Sequence, residues 1–281
     1  MPGIGLTAVS MTAQRTHAFN AKSLAGSMEK LATGFRINHG KDDPAGLITS
    51  ENLRAVLAAL DAETRVMQRV DSVANVAEAG LSEISNLLAD ASRLVVASAN
   101  SAGVSDAERA AYQMELNSIV QSVNRIANTT SFNGDRLLDG SASFDAGGSG
   151  FTIASAAASD LGATDVDGTT RTLVDVSSGG ALNLVDGNLE GALQTIKAAV
   201  SQVASQRGEL GAFQKYSVQS TITTNQTAFE NTAAANSMIR DTDFAKETAA
   251  LSRKQILNQS SINVMSMINI VRKQVMNALM G

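Results

Sequence analysis

The residues with chemical potential are few, and they do not combine. Gly34 and Gly40-Lys41 resemble the ends of a phosphate-cradling loop. One residue too many separates the two glycines, and Asp42 follows Lys41 where Ser or Thr is required. Asp42 and Asp43 are adjacent carboxylates of the kind hard cations attract, but directly before Pro44 they read more simply as helix-start charges, one of them capping the helix that follows. Arg36 has one of these aspartates, or a neighbouring molecule, as its candidate partner. His17 and His39 lack an acid or a nucleophile at motif spacing and read as surface or interface side chains. Met265, Met267, Met276 and Met280 stand among Ile and Val at helical spacing, which reads as packing rather than a soft-metal box. With no Cys, thiolate metal sites, disulfides and thiol catalysis are excluded together. No cofactor, metal or catalytic role is expected.

The bulk composition narrows the class further. Apolar residues make up 44% of 281, enough for a sizeable core, but aromatics are only 4%, Trp is absent and Pro occurs twice. That suits long helices packed through aliphatic and small side chains rather than a ring-lined ligand pocket. A net charge of -5 without a basic run disfavours nucleic acid. The first residues, Met1 to Thr7, show neither a basic nor a continuous apolar region, so a cleaved Sec-type leader is not expected. No apolar run reaches membrane-spanning length, and no membrane partner is expected.

The elements follow from periodicity. Leu24, Met28, Leu31 and Phe35 form an apolar seam on one helix, which the stretch from Gly34 to Pro44 breaks. Val66, Val70, Val73, Ala77, Leu81, Ile84, Leu88, Ala91 and Val95 then advance by fours and threes, the additional four at Ala77 to Leu81 reading as a coiled-coil stutter. A helix from about Ala45 to Ala99 would be on the order of 80 Å long at ~1.5 Å per residue. Ser105 and Glu108 fit a capping box for a third helix seamed by Tyr112, Leu116, Ile119, Val123 and Ile126, antiparallel to the second because the connection is short. Asn133-Gly134 signals a hairpin, and the stretch to about Gly187, rich in Gly, Ser, Ala, Thr and Asp, reads as β-hairpins and exposed loops. The seam returns through Leu189, Leu193, Ile196, Val200, Val203, Leu210 and Phe213, weakens from Ser217 to Ser237, and gives way to a segment from Gln255 to Val271 without a single charge.

The expected fold is therefore mainly α: long antiparallel coiled-coil rods from the N- and C-terminal parts with a small β-hairpin and loop centre. The ends should need partners. Fixing a residue's backbone costs roughly 1–2 kcal/mol, and a narrow seam of Leu and Ile returning about 1.5–3 each does not offset it. An isolated end is expected to be largely unfolded. The C-terminal segment needs burial on more than one face, and its Asn and Gln argue for protein rather than lipid around it.

The stretch LAGSMEKLATGFRINHGKDDPAGLITSENL from Leu24 to Leu53 closely resembles the N-terminal block of bacterial flagellins. So do Glu78 to Ile84, Arg125 to Gly134, Leu137 to Gly140, Gln206 to Ala212, Ile239 to Glu247 and Lys254 to Gln259, in the family's order. The resemblance implies a filament subunit for motility with three regions: 1–45 plus 239–281 as an inner coiled-coil layer around a channel, 46–140 plus 188–238 as an outer rod, and 141–187 as a short variable region at the surface. It implies inner-layer packing by Leu24, Met28, Leu31, Phe35, Ile256, Leu257, Val264, Ile268, Val271, Val275 and Leu279. Joint or subunit contacts would fall to Arg36, Asn38, Asp42, Asp43, Arg240 and Asp241. A rod seam would run through Val66, Val70, Val73, Leu81, Ile84, Leu88, Leu116, Ile119, Val123, Leu193, Ile196 and Val200.

The implied partners are other copies of the chain, the flagellar cap and hook-filament junction proteins, a cytoplasmic export chaperone and the type III export apparatus. The implied location is the extracellular filament after a transient cytoplasmic stage. Pro44 and His39 replace residues that are usually smaller, and Arg272 and Lys273 place charge in the tail. Flagellins that activate the innate receptor typically carry a Gln-Arg-x-Arg-Glu-Leu run. Here Ala89-Asp90-Ala91-Ser92-Arg93-Leu94 puts Asp90 where an Arg anchor is expected, so weak activation is expected at an anchor cost of upwards of ~2 kcal/mol. Asn128-Thr129-Thr130 and Asn225-Gln226-Thr227 match the N-glycosylation pattern, and Ser and Thr within 141–187 are O-glycosylation candidates for this family. The competing readings are a hook-filament junction protein of the same family and, from another class, a coiled-coil signalling or binding module.

Overall fold

The computed structural model describes residues 2–99, 103–146 and 148–280, and the side chains of these except 2–7, 146, 149 and 278–280. The chain divides into two compact units, Met1–Ala59 with Ala228–Gly281, and Leu60–Thr227.

In the first unit, helix α1 (Pro2–Thr33) packs against helix α6 (Phe244–Met280). Gly34 at φ 76 ends α1, its N–H donating to Lys30 O at 2.9 Å, a left-handed stop that suits a residue without Cβ. The loop that follows is closed by Asp42, whose Oδ2 accepts from the N–H of Asn38 at 3.2 Å and of His39 at 2.9 Å. Asp43, not Asp42, caps helix α2 (Pro44–Ser98): its Oδ1 accepts from Gly46 N at 2.9 Å, and Pro44 fills the first helical position, where no N–H is needed. Ile37, absent from the apolar seam expected there, is the buried anchor of this loop.

The second unit is built on the remainder of α2, helix α3 (Asp106–Thr129) and helix α4 (Leu189–Ala212), which bury one shared core. The capping box at Ser105 and Glu108 is formed in both directions. Along α2 the buried row runs Met67, Ala74, Ala77, Leu81, Ile84, Leu88, Ala91 and Val95, with Val70 partly buried between the first two. This row steps by threes and fours without a break, so the expected stutter is absent. Val66 is 51% exposed while Ala74 is fully buried, and Val73 is only partly covered. Met67 and Ala74 stand in the buried row in place of the expected Val66 and Val73.

After α4 the chain forms a π-helical turn, Phe213–Val218, before helix α5 (Gln219–Arg240). The buried row on this stretch is Val203, Gln206, Leu210, Phe213, Val218 and Ile222. The five-residue step from Phe213 to Val218 would rotate the seam off its face in a regular α-helix, and the wider turn absorbs it. That step explains the weak periodicity beyond Ser217.

The centre contains three antiparallel hairpins. Strands β1 (Ser131–Phe132) and β2 (Asp135–Arg136) turn at Asn133 and Gly134, both at positive φ. Strands β3 (Ser143–Ala146) and β4 (Ser149–Thr152) pair Phe144 with Phe151, and both rings meet Phe213, at 6.4 and 5.3 Å between centroids. Strands β5 (Thr164–Val166) and β6 (Thr169–Arg171) precede a 3-10 turn, Leu173–Val176. The segment 141–187 holds two of these hairpins and exposed turns, and its Ile153, Ala156, Ala158, Leu161, Val166, Leu173, Val176, Leu182 and Leu184 are buried in the common core. Buried Gln113 of α3 fastens this lobe, donating to Val176 O at 3.1 Å and accepting from Leu184 N at 2.6 Å. The lobe's short strands and turns deliver aliphatics at irregular spacing, which is why no period announces them.

Candidate assembly surface

The α1·α6 pair meets along a seam of mixed polar and apolar residues. Among the less exposed positions of α1, Ser10, Ala13, His17, Asn20, Leu24, Ser27 and Leu31 form one row, and on α6 Glu247, Leu251, Lys254, Asn258, Ser261, Met265 and Ile268 form the row facing it. Both rows alternate threes and fours, as a coiled-coil seam does. Their content is largely polar. Ser27, 1% exposed, donates to Glu247 Oε1 at 2.5 Å and accepts from the Lys254 ammonium, which lies 3.7 Å from the same carboxylate. Higher up, Asn20 Nδ2 donates to Leu257 O at 3.3 Å. Ser261 Oγ spends its proton on Asn258 O, so it must accept from His17, whose Nδ1 at 3.1 Å therefore carries a hydrogen. These pairs match 17 with 261, 20 with 257 and 27 with 247 and 254, one antiparallel register throughout.

The large apolar side chains point the other way. Val9, Met11 and Phe19 of α1 are exposed, Phe19 at 72%, as are Ile256, Leu257, Ile262, Val264, Met267, Ile270 and Val271 of α6, Ile256 at 69%. A groove of about 530 Å³ runs between the helices, lined by Val9, Thr12, Ala13, Leu257, Val264 and Ile268 among others. Of the expected inner-layer residues, Leu24, Leu31, Ile268 and Val275 are half-buried, while Met28, Phe35, Ile256, Leu257, Val264 and Val271 are exposed; the side chain of Leu279 lies outside the described residues. Met28 is not in the α1 seam, where Ser27 takes its place. Arg272 and Lys273 are exposed.

The residues expected at the joint converge. Phe35 and Asp241 form an isolated antiparallel bridge, flanked by Arg36 N donating to Arg240 O at 2.6 Å and Thr242 N to Gly34 O at 2.8 Å. Arg36 also donates to Ile239 O at 2.5 Å and lies 3.7 Å from Asp43, so one of the expected aspartates is a partner within the chain. Asn38 Nδ2 donates to Phe35 O at 3.1 Å. Arg240 pairs with Glu51 at 3.0 Å and stacks 4.9 Å from the Phe35 ring centroid. Glu51 is held below the usual carboxylate range, chiefly by the Arg54 hydrogen bond and then by Arg240, and Asp42 by the His39 backbone N–H. His39 reaches back to Glu29 at 2.8 Å.

Elsewhere, Leu81, Ile84, Leu88, Leu116, Ile119, Val123 and Ile196 are buried, and Val70, Val73, Leu193 and Val200 pack partly against the same core. Asp90 and Arg93 are exposed and paired with each other, and Leu94 packs partly against the core. Among the described residues, no three His, Asp or Glu side chains converge as a metal site, and no helix is long and apolar enough to cross a membrane.

Known proteins place this arrangement. The bacterial flagellin N-terminal helical region matches residues 4–143, and the bacterial flagellin C-terminal helical region matches residues 193–279. A flagellar filament 33 kDa core protein of Treponema phagedenis is 32% identical over 283 residues, spanning 96% of this chain and 97% of the relative. A flagellin of Halalkalibacterium halodurans is 33% identical over 261 residues, 92% of this chain and 93% of the relative. The crystal structure of Bacillus cereus flagellin superposes with a TM-score of 0.42 and 20% identity over 66% of this chain and 94% of that one. With family matches at both ends and relatives of this identity along nearly the whole length, the chain belongs to the bacterial flagellin family and is a subunit of the flagellar filament.

Proposed function

We propose that the subunit polymerises by burying the outward apolar faces of α1 and α6 against several copies of itself. In this reading 1–45 and 239–281 form the inner layer, 46–140 and 188–238 the outer rod, and the exposed part of 141–187 faces solvent. Inner-layer packing falls to Leu24, Met28, Leu31, Phe35, Ile256, Leu257, Val264, Ile268, Val271, Val275 and Leu279, and Arg36, Asn38, Asp42, Asp43, Arg240 and Asp241 set the joint between layers.

The observation that supports this is the pair itself: its seam mixes the Ser27, Glu247 and Lys254 contacts with Leu24, Leu31, Leu251 and Ile268, while Val9, Met11, Phe19 and large apolar side chains of α6 are left outside. Six aliphatics of α6, Ile256, Leu257, Ile262, Val264, Ile270 and Val271, are between 40% and 69% exposed. Completing the burial of each contributes on the order of 1 kcal/mol, against about 4–15 for immobilising a free chain. Covering a single stripe falls short. The six together contribute about 6 kcal/mol and, with Val9, Met11 and Phe19 of α1, about 9, which falls inside that range and so needs contacts from several neighbours at once.

The same exposed surface requires cover before assembly. A cytoplasmic chaperone on the C-terminal segment, passage through the type III apparatus as an unfolded chain, and the cap and hook-filament junction proteins as later partners fit that need. Asp90, paired with Arg93, leaves the innate receptor without its arginine anchor. Electron microscopy tests the main proposal: the full chain forms helical filaments and a 50–235 fragment does not. Filaments from the fragment would overturn it.

A further inference from the structure

The chain has no Cys and no Trp, so its ten Met are the side chains a mild oxidant attacks first. They are unevenly placed. Met67 is in the core and Met265 is half-covered in the α1·α6 seam, but Met11, Met28, Met238, Met267 and Met276 are exposed on the helices of the first unit. Met114 is exposed on α3 of the second. Met267 is the most consequential. It lies three residues beyond Val264 and four before Val271, and all three are exposed on one stripe of α6.

We propose that Met267, with Met28 in support, is a hydroperoxide-sensitive modification site that gates assembly of the free chain; this rests on the assembly surface proposed above. The thioether sulfur attacks the outer peroxide oxygen, the O–O bond breaks, and a sulfoxide forms as the peroxide is reduced to water or alcohol. Sulfur loses two electrons and the peroxide gains them, so no further reactant is required. The product carries a strong acceptor oxygen on a residue whose neighbours three and four positions away are Val264, Ile270 and Val271, without a side-chain donor, and Asn263, whose amide is the one donor among them. Buried between copies, that oxygen would be desolvated with at most that amide as partner. In the polymer the same thioethers would be covered, so the gate acts on subunits before they assemble. Met114, outside the terminal helices, is the built-in control.

The experiment treats the free full-length chain and preformed filaments with hydrogen peroxide, maps sulfoxides by mass spectrometry, and measures critical concentration by sedimentation. The free chain is expected to oxidise at Met28 and Met267 about as fast as at Met114, and its critical concentration to rise about tenfold or more. A chain carrying Met11→Leu, Met28→Leu, Met267→Leu and Met276→Leu is expected to assemble normally and to resist the treatment, and restoring Met267 alone is expected to bring the sensitivity back. In filaments Met267 is expected to be protected while Met114 reacts. If oxidised chain assembles at the parent concentration while Met267 is protected in filaments, the gate is wrong and the surface stands. If Met267 in filaments oxidises as fast as Met114, the assembly surface itself falls, and the gate with it.

Discussion

Glu247→Ala removes the carboxylate that holds the polar clasp of the terminal helices together. Ser27 is 1% exposed and its hydroxyl loses its acceptor, while Lys254 loses its ionic partner at 3.7 Å. An unsatisfied buried hydroxyl costs about 1–3 kcal/mol. The ionic share is small, because the Lys254 side chain is 30% exposed and water screens such a pair to about 0.2–1 kcal/mol. At about 2–4 °C per kcal/mol, the filament should melt roughly 2–16 °C lower, read by circular dichroism on assembled filaments. Glu247→Gln keeps an acceptor for Ser27 and should lose less than half as much. Ser27→Ala, which removes the hydroxyl itself, should also cost less than Glu247→Ala. An E247A filament melting within about 1 °C of the parent would refute the reasoning. E247Q falling as far as E247A would show that charge, not the hydrogen bond, carries the clasp.

Acid should loosen the joint. Asp42 and Glu51 are held below their ordinary values of 3.8 and 4.5, so their contribution is present above those values and lost as pH falls through the lower folded ones. Amide exchange at Asn38 and His39 should accelerate below about pH 4, and Asp42→Asn should remove that dependence. Gly162→Ala should destabilise the second unit by about 1–3 kcal/mol in urea unfolding, since Gly162 sits at φ 73 and a Cβ would lie 2.5 Å from Thr195 O; an unchanged midpoint would contradict the turn. Purified free chain should activate the innate receptor poorly in a reporter assay, and Asp90→Arg should raise the response. Potent activation by the parent chain would count against the Asp90 argument.

Much of the helical frame was legible because burial follows period. The capping box at Ser105, the Asn133-Gly134 hairpin and the break after Gly34 each rest on local chemistry that sequence displays. The phase error on α2 came from weighting Val66 and Val73 above Met67 and Ala74: side-chain hydrophobicity was readable, and which face of α2 meets its partners was not. The α1·α6 seam was legible only in part. Its interior alternates Leu24, Leu31, Leu251 and Ile268 with Ser, Asn, His, Glu and Lys, so an apolar row finds part of the seam and, at Met28, Ile256 and Val264, the outward faces. The Phe35 to Asp241 bridge and the burial of 141–187 depend on contacts distant in sequence, which no local pattern encodes.

The most direct test of the central claim is a cryo-electron microscopy reconstruction of the assembled filament. The account predicts α1 and α6 innermost, with Phe19, Ile256, Val264 and Met267 covered by neighbouring copies and the polar clasp of Ser27, Glu247 and Lys254 intact within each subunit. A filament in which those apolar side chains face solvent, while copies meet only through residues 60–227, would contradict it.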